Sequence, residues 1–295
     1  MRNTLFILSF LSALTVSSAV VAPASAMVRN YSATVEDSIW SINVPNRLEC
    51  TLTHNLPGYG EAIFTSIASK QLNMEFTLDM RRLPKTYGVA SVYSVPPAWM
   101  PGEMQKPIAD MTIRKQFDGD LPEQAAWTML TELEKGFWPT LYYKDWYNRY
   151  DSIAVALNAS NFAMPYESFV NCVSNLLPFS FDDIAYTVLS YKSNNAELTK
   201  SAKRKLNMIA EYLKEDTDLE LVLLDGYADS YGGRYSNKQL SIRRAVEIKS
   251  FFTENGVAAN RIQVTGHGER RHISPNDNAM NRARNRRVVI RMQKA

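Results

Sequence analysis

Between Ser38 and about Thr112 the chain runs in short apolar stretches that Pro, Gly and Asn interrupt before any grows long. Period-two alternation predicts strands over residues 39–44, 62–67, 72–78 and 88–93. The run Pro96-Pro97-Ala98-Trp99-Met100-Pro101-Gly102 fits no regular element and reads as a loop. A helical pattern follows over 122–134, with Pro122 suited to the first turn and Gly136 as the stop. Strands return at 141–146 and 152–157, and 165–177 reads as a helix carrying Cys172.

Further on, strand and helix alternate. A strand at 187–191 precedes a helix that enters through Ala196-Glu197-Leu198-Thr199 and runs to residue 213. Its apolar positions Leu206, Ile209, Ala210 and Leu213 recur at helical spacing. A buried strand at 219–224, a helix at 236–255 closed by Gly256, and strands at 261–266 and 287–292 complete the series. The expected class is α+β in two domains. A mostly antiparallel β domain comes first, and a β-α-β-α-β sandwich with its helices on one sheet face follows.

Composition adds a compartment. Arg2, the apolar stretch 5–21 and Ala24-Ser25-Ala26 have the order of a secretory signal peptide spanning 1–26, an uncleaved anchor being the alternative. No later stretch reaches the ~18 apolar residues of a membrane-spanning helix, so the mature chain is expected to be exported without a transmembrane segment. The remainder divides into expected domains at 27–180 and 181–295. In an oxidising compartment the two cysteines, Cys50 and Cys172, read as one disulfide, with two buried thiols as the other possibility.

The overall charge of +3 conceals an asymmetry. Residues 27–184 carry 12 Lys and Arg against 18 Asp and Glu, whereas residues 185–295 carry 20 against 12. A basic half invites a nucleic-acid partner. Export argues against one and favours a carboxylate-bearing wall polymer. The three histidines, His54, His267 and His272, are too scattered for a metal site, and no Gly-rich phosphate loop or Ser/His/Asp set is present in the front half. The front strands are too interrupted and too charged for an outer-membrane barrel. No cofactor and no enzymatic activity are expected.

The densest signal lies between Gly226 and Val289. It comprises Gly226-Tyr227-Ala228-Asp229, Leu240-Ser241-Ile242-Arg243-Arg244-Ala245, Gly256-Val257, Gly266-His267-Gly268-Glu269 and Asn285-Arg286-Arg287-Val288. At 100° per residue, Ile242, Ala245, Val246, Ile248 and Phe252 form an apolar helix face, and Arg244 falls at its edge in line with Leu240. Arg243 points further into solvent. Asp229 lies just past the end of a strand, where α/β folds often bind ligands. An acid and an arginine there suit a zwitterion: the carboxylate receives an ammonium and the guanidinium grips a carboxylate. The competing view is a salt bridge between Asp229 and Arg244 that merely ties loop to helix.

This arrangement resembles the OmpA-like peptidoglycan-binding domain. The resemblance implies that Asp229 and Arg244 hold the diaminopimelate residue of the wall peptide, with Asn237, Leu240, the aromatic Tyr191 and Arg286 around them. The chain departs from that pattern at Tyr227-Ala228, where the family usually has His-Thr. The front half adds Leu83-Pro84, the 96–103 loop, Lys115-Gln116-Phe117-Asp118-Gly119, Glu132-Leu133-Glu134-Lys135-Gly136 and Ser174-Asn175-Leu176-Leu177, with Cys50 and Cys172 similarly placed. Together these resemble the MotY family over nearly the whole mature chain. That resemblance implies a periplasmic ring component of the sodium-driven flagellar motor, near the outer membrane. Its front domain would dock to MotX and the basal body, its back domain would bind peptidoglycan, and the whole would support the stator units. A general envelope tether without a motor role is the rival, and a wall hydrolase is a further one.

Overall fold

The computed structural model describes residues 27–43, 46–191, 198–216 and 221–293. The expected signal peptide, Val44, the helix entry at Ala196-Glu197 and Leu219 lie outside them. The elements, in order, are β1 (Val28–Ser32), β2 (Trp40–Ile42), β3 (Glu49–Leu56), β4 (Gly60–Ile67), β5 (Glu75–Met80), β6 (Gly88–Val95), β7 (Lys106–Ile113), β8 (Gly119–Leu121) and α1 (Glu123–Glu134). There follow β9 (Trp138–Lys144), β10 (Ser152–Ala156), α2 (Ala163–Ser174), α3 (Phe181–Ile184) and β11 (Tyr186–Ser190). The remaining elements are α4 (Lys200–Glu215), β12 (Leu221–Tyr227), α5 (Arg234–Glu254), β13 (Ile262–Gly268), α6 (Ala279–Asn285) and β14 (Arg287–Gln293).

The front domain consists of two five-stranded sheets, β1-β10-β9-β6-β7 and β2-β3-β4-β5-β8. Every pairing is antiparallel except that of β1 with β10. One core, rich in Phe64, Phe76, Leu78, Met111, Leu141 and Phe169, draws from both sheets and from α1 and α2. Pro122, in extended conformation, starts α1, which buries Ala125, Ala126, Met129, Leu130 and Leu133. Gly136 (φ +86°) then reverses the chain, with its N–H on the Leu133 carbonyl at 3.0 Å.

Strands β1, β3, β7 and β8 go beyond the sequence expectation. In β3 the inward positions are Cys50, Leu52, His54 and Leu56. A thiol and an imidazole at two of the four blur the alternation that would have marked the strand. His54 is fully buried: its Nδ1 donates to the Ile39 carbonyl (3.0 Å), its Nε2 accepts the Asn158 N–H (3.3 Å), and its ring stacks on Trp40 at 4.2 Å. Burial pulls its pKa down to about 4. Cys50 and Cys172 form a disulfide that fastens β3 to α2 across 122 positions of sequence.

The second domain is a four-stranded sheet, β11-β14-β12-β13, with β12 and β13 parallel and the other pairings antiparallel. Leu189, Val222, Leu224, Val288, Ile290 and Met292 line one face and meet Leu206, Ile209 and Leu213 of α4 and Ala245, Ile248 and Phe252 of α5. Thr199 caps α4 by accepting the Ala202 N–H at 3.2 Å. Leu48 and Ala68 of the front domain pack against this second core, and the Leu177 N–H bonds the Arg47 carbonyl at 2.9 Å. Ion pairs Arg47–Glu211 and Lys70–Asp183 flank the junction.

Two details of α5 correct the helical-wheel expectation. Val246, expected on the apolar face, is 44% exposed, and Arg244, expected at the edge of that face, is completely buried. The buried stripe is Asn237, Ser241, Arg244, Ala245, Ile248 and Phe252. The stripe admits polar side chains because the helix lies close against the sheet at Gly226 and Gly266.

Candidate functional site

Two glycines without side chains let α5 press onto the carboxyl ends of β12 and β13. A Cβ at Gly226 would stand 2.0 Å from the Ser241 carbonyl oxygen, and one at Gly266 2.4 Å from Ile242 Cγ1. Ser241 locks the contact: its hydroxyl accepts the Gly268 N–H (2.9 Å) and donates to the Lys238 carbonyl (2.8 Å). The Ala228 N–H bonds the Gly268 carbonyl at 2.8 Å, which fixes the loop leading to Asp229.

Four of the expected site residues come together here, each from a different element. Asp229, in the loop after β12, accepts the Tyr231 N–H on Oδ1 (3.2 Å) and pairs with Arg286 Nη1 through Oδ2 at 2.8 Å. Arg286 immediately precedes β14, and its carbonyl accepts the Tyr191 N–H at 3.2 Å. Tyr191, just past β11, lies with its ring 4.6 Å from the Arg244 guanidinium carbon, and its hydroxyl donates to the Arg244 carbonyl at 3.3 Å. Arg244 in turn donates from Nη1 to the Tyr227 carbonyl at 3.4 Å. The direct ionic partner of Asp229 is therefore Arg286. The sequence reading joined Asp229 to Arg244 because that pair carries the motif, and it placed Arg286 among the surrounding residues.

Burial draws the Arg244 pKa down, opposed by the nearby Tyr191 and Asp229, while Arg286 adds to the lowering. Burial also raises the Tyr191 hydroxyl well above its ordinary value, against the pull of Arg244. Among the described residues, Arg286 Nε is buried with no hydrogen-bond partner. Leu240 is half-buried one turn before Arg244. Asn237 is buried on the β13 side, where its amide donates to Glu269 Oε2 at 3.1 Å.

The opposite face of the sheet holds a second polar cluster that sequence reasoning missed. Asp225 accepts from His267 Nε2 at 2.8 Å and from Arg291 Nη2, while Tyr227 stacks on His267 at 4.7 Å and lies 3.9 Å from the Arg287 guanidinium carbon. Burial pushes the Asp225 carboxyl up, but the hydrogen bonds from His267 and Arg291 outweigh it and hold it below the usual aspartate range. Arg291 is half exposed but ion-paired. One acid in the apolar strand Leu221–Tyr227 was the available signal, because a buried carboxylate needs partners.

The fold and this cluster at the strand ends define an OmpA-family domain behind a β-rich front domain. Residues 190–286 match the OmpA family, and residues 31–178 match the MotY N-terminal domain. The sodium-type flagellar protein MotY of Vibrio parahaemolyticus serotype O3:K6 is 43% identical over 264 residues, covering 90% of each chain. Outer membrane protein A of Bordetella avium is 35% identical over 97 residues, or 33% of this chain and 50% of that one. The C-terminal domain of Helicobacter pylori MotB superposes with a TM-score of 0.34 at 20% identity, over 37% of this chain and 85% of its own. The chain belongs to the MotY family. None of its described helices is long and apolar enough to cross a membrane.

Proposed function

We propose that this protein is a periplasmic component of the flagellar motor that fixes the motor to peptidoglycan. The unit 181–295 grips the wall, and the unit 27–180 docks to MotX and the basal body near the outer membrane, so that the stator units are held in place. Membership of the MotY family and the presence of an OmpA-family domain support this reading. The observation that carries the wall-binding part is Asp229, paired with Arg286 and within electrostatic reach of Arg244 at the carboxyl end of the sheet. The ligand in this reading is diaminopimelate, whose stem-peptide residue offers an ammonium and a carboxylate on one centre. Asp229 takes the ammonium, and Arg244 and Arg286 take the carboxylate, the Nε of Arg286 having a hydrogen bond to give. Tyr191 supports Arg244 from below, and Leu240 and Asn237 complete the wall around it.

Sedimentation with purified peptidoglycan tests the reading. Asp229→Ala and Arg244→Ala are each expected to raise the dissociation constant about tenfold, the scale of one buried charge-assisted contact. Arg286→Lys keeps a cation but loses the fork, and is expected to fall between them and wild type. Undiminished sedimentation of Asp229→Ala and Arg244→Ala, with circular dichroism unchanged, would remove these residues from the site.

A further inference from the structure

A second cleft opens at the same end of the sheet, on the β13 side. It has a volume of about 470 Å³ and is lined by Arg234, Tyr235 and Lys238 from the first turns of α5 and by His267, Glu269 and Arg270 around Gly268. That volume lies within the range of small-ligand sites. Its floor at Gly268 is bare backbone: φ is +62°, and an added Cβ would come within 3.2 Å of the Lys238 backbone. Glu269, the acid of the lining, is already held by Asn237, and His267 is turned to Asp225. Lys238 donates to the Gly266 carbonyl. The guanidiniums of Arg234 and Arg270 have no hydrogen-bond or ion-pair partner among the described residues. Two arginines and a lysine thus face one cleft against a single carboxylate, Glu269, which is tied to the Asn237 amide, and the exposed ring of Tyr235 flanks them.

We propose that this cleft is a second carboxylate-binding subsite, occupied by another carboxylate of the same wall polymer whose diaminopimelate sits at Asp229. The proposal rests on the reading of the Asp229 pocket given above. The two sites share one backbone frame, since the Ala228 N–H that fixes the loop to Asp229 bonds the carbonyl of Gly268, the floor of the cleft. A stem peptide carries a further free carboxylate on the glutamate next to its diaminopimelate. Glycan that has lost its peptide carries one on muramic acid. Paired guanidiniums recognise either through forked hydrogen bonds.

Calorimetric titration of the full chain tests this with three probes: free diaminopimelate, the tripeptide alanyl-glutamyl-diaminopimelate, and a peptide-free disaccharide with an unsubstituted muramic acid. In the Arg234→Ala/Arg270→Ala double variant, tripeptide affinity is expected to fall about tenfold, while free diaminopimelate binds as to wild type. A loss confined to the disaccharide supports the subsite and assigns its carboxylate to the glycan. Wild-type affinity of the double variant for both larger probes overturns the proposal while leaving the Asp229 reading intact. Equal loss for all three probes also overturns it, by attributing the effect to the Asp229 pocket. If wild-type protein binds no diaminopimelate, the Asp229 reading fails and the subsite falls with it.

Discussion

Gly226→Ala is the sharpest perturbation this architecture offers, because one methyl group separates the observed helix position from an impossible one. The new Cβ would meet the Ser241 carbonyl oxygen at 2.0 Å, whereas ordinary contact begins at 3.4 Å. The obstacle is helix backbone, which cannot rotate aside as a side chain would, so α5 must retreat by about 1.4 Å, the difference between those two distances. Overpacking of this kind typically costs about 1–3 kcal/mol. The retreat also carries Arg244 away from the Tyr227 carbonyl, already at 3.4 Å, and from the ring of Tyr191. Urea unfolding followed by far-ultraviolet circular dichroism is expected to show a lower midpoint for the second domain, and peptidoglycan sedimentation is expected to drop with it. Gly88→Ala is the control: its Cβ would meet nothing closer than Ile113 Cδ1 at 3.9 Å, and it should alter neither measurement. A Gly226→Ala protein with wild-type midpoint and wall retention would refute the argument that close helix–sheet approach builds the pocket.

The front domain makes two further predictions. His54 stays neutral in the folded state down to about pH 4, but in the unfolded chain it protonates below its ordinary 6.5. Its contribution is therefore complete above pH 6.5 and declines as pH falls toward 4, by up to about 3 kcal/mol. Urea midpoints across that range should show the decline in wild type and a shallower one in His54→Gln; equal slopes would refute the assignment. Closing a loop of 122 positions with the Cys50–Cys172 bond is worth about 5 kcal/mol in the chain-entropy account. Cys50→Ser/Cys172→Ser should lower the front-domain urea midpoint accordingly, and an unchanged midpoint would refute a stabilising role.

The second domain was more legible in the sequence than the first, and the reason is physical. The apolar stripe of α4 and the buried runs of β12 and β14 repeat at the period of their element, and Gly226, Asp229 and Arg244 stand at fixed offsets from those runs. In the front domain, β3 hid because His54 is stabilised inside by the Ile39 carbonyl and the Asn158 N–H, partners distant in sequence that no local pattern announces. The same limit applied at the site. Helical geometry brought Arg244 to the right region, but its full burial depends on the absence of two side chains on neighbouring strands. The pairing of Asp229 with Arg286 depends on the order β11-β14-β12-β13, which sets the start of β14 beside the end of β12.

The bond between Cys50 and Cys172 also sets how the molecule would yield under load. A pull on the second domain enters the front domain through the segment that follows α2, and within a few residues it reaches Cys172. From there it passes sideways into β3, which is held on both edges by β2 and β4, and α2 lies beyond the crosslink where it cannot be unwound from that end. Between an attachment ahead of Cys50 and the second domain, the enclosed chain is withheld from extension, roughly 400 Å of it at ~3.4 Å per residue. Overload would then draw little length from the front domain behind Cys50, and the extension falls to the second domain, which holds no cysteine and so no crosslink.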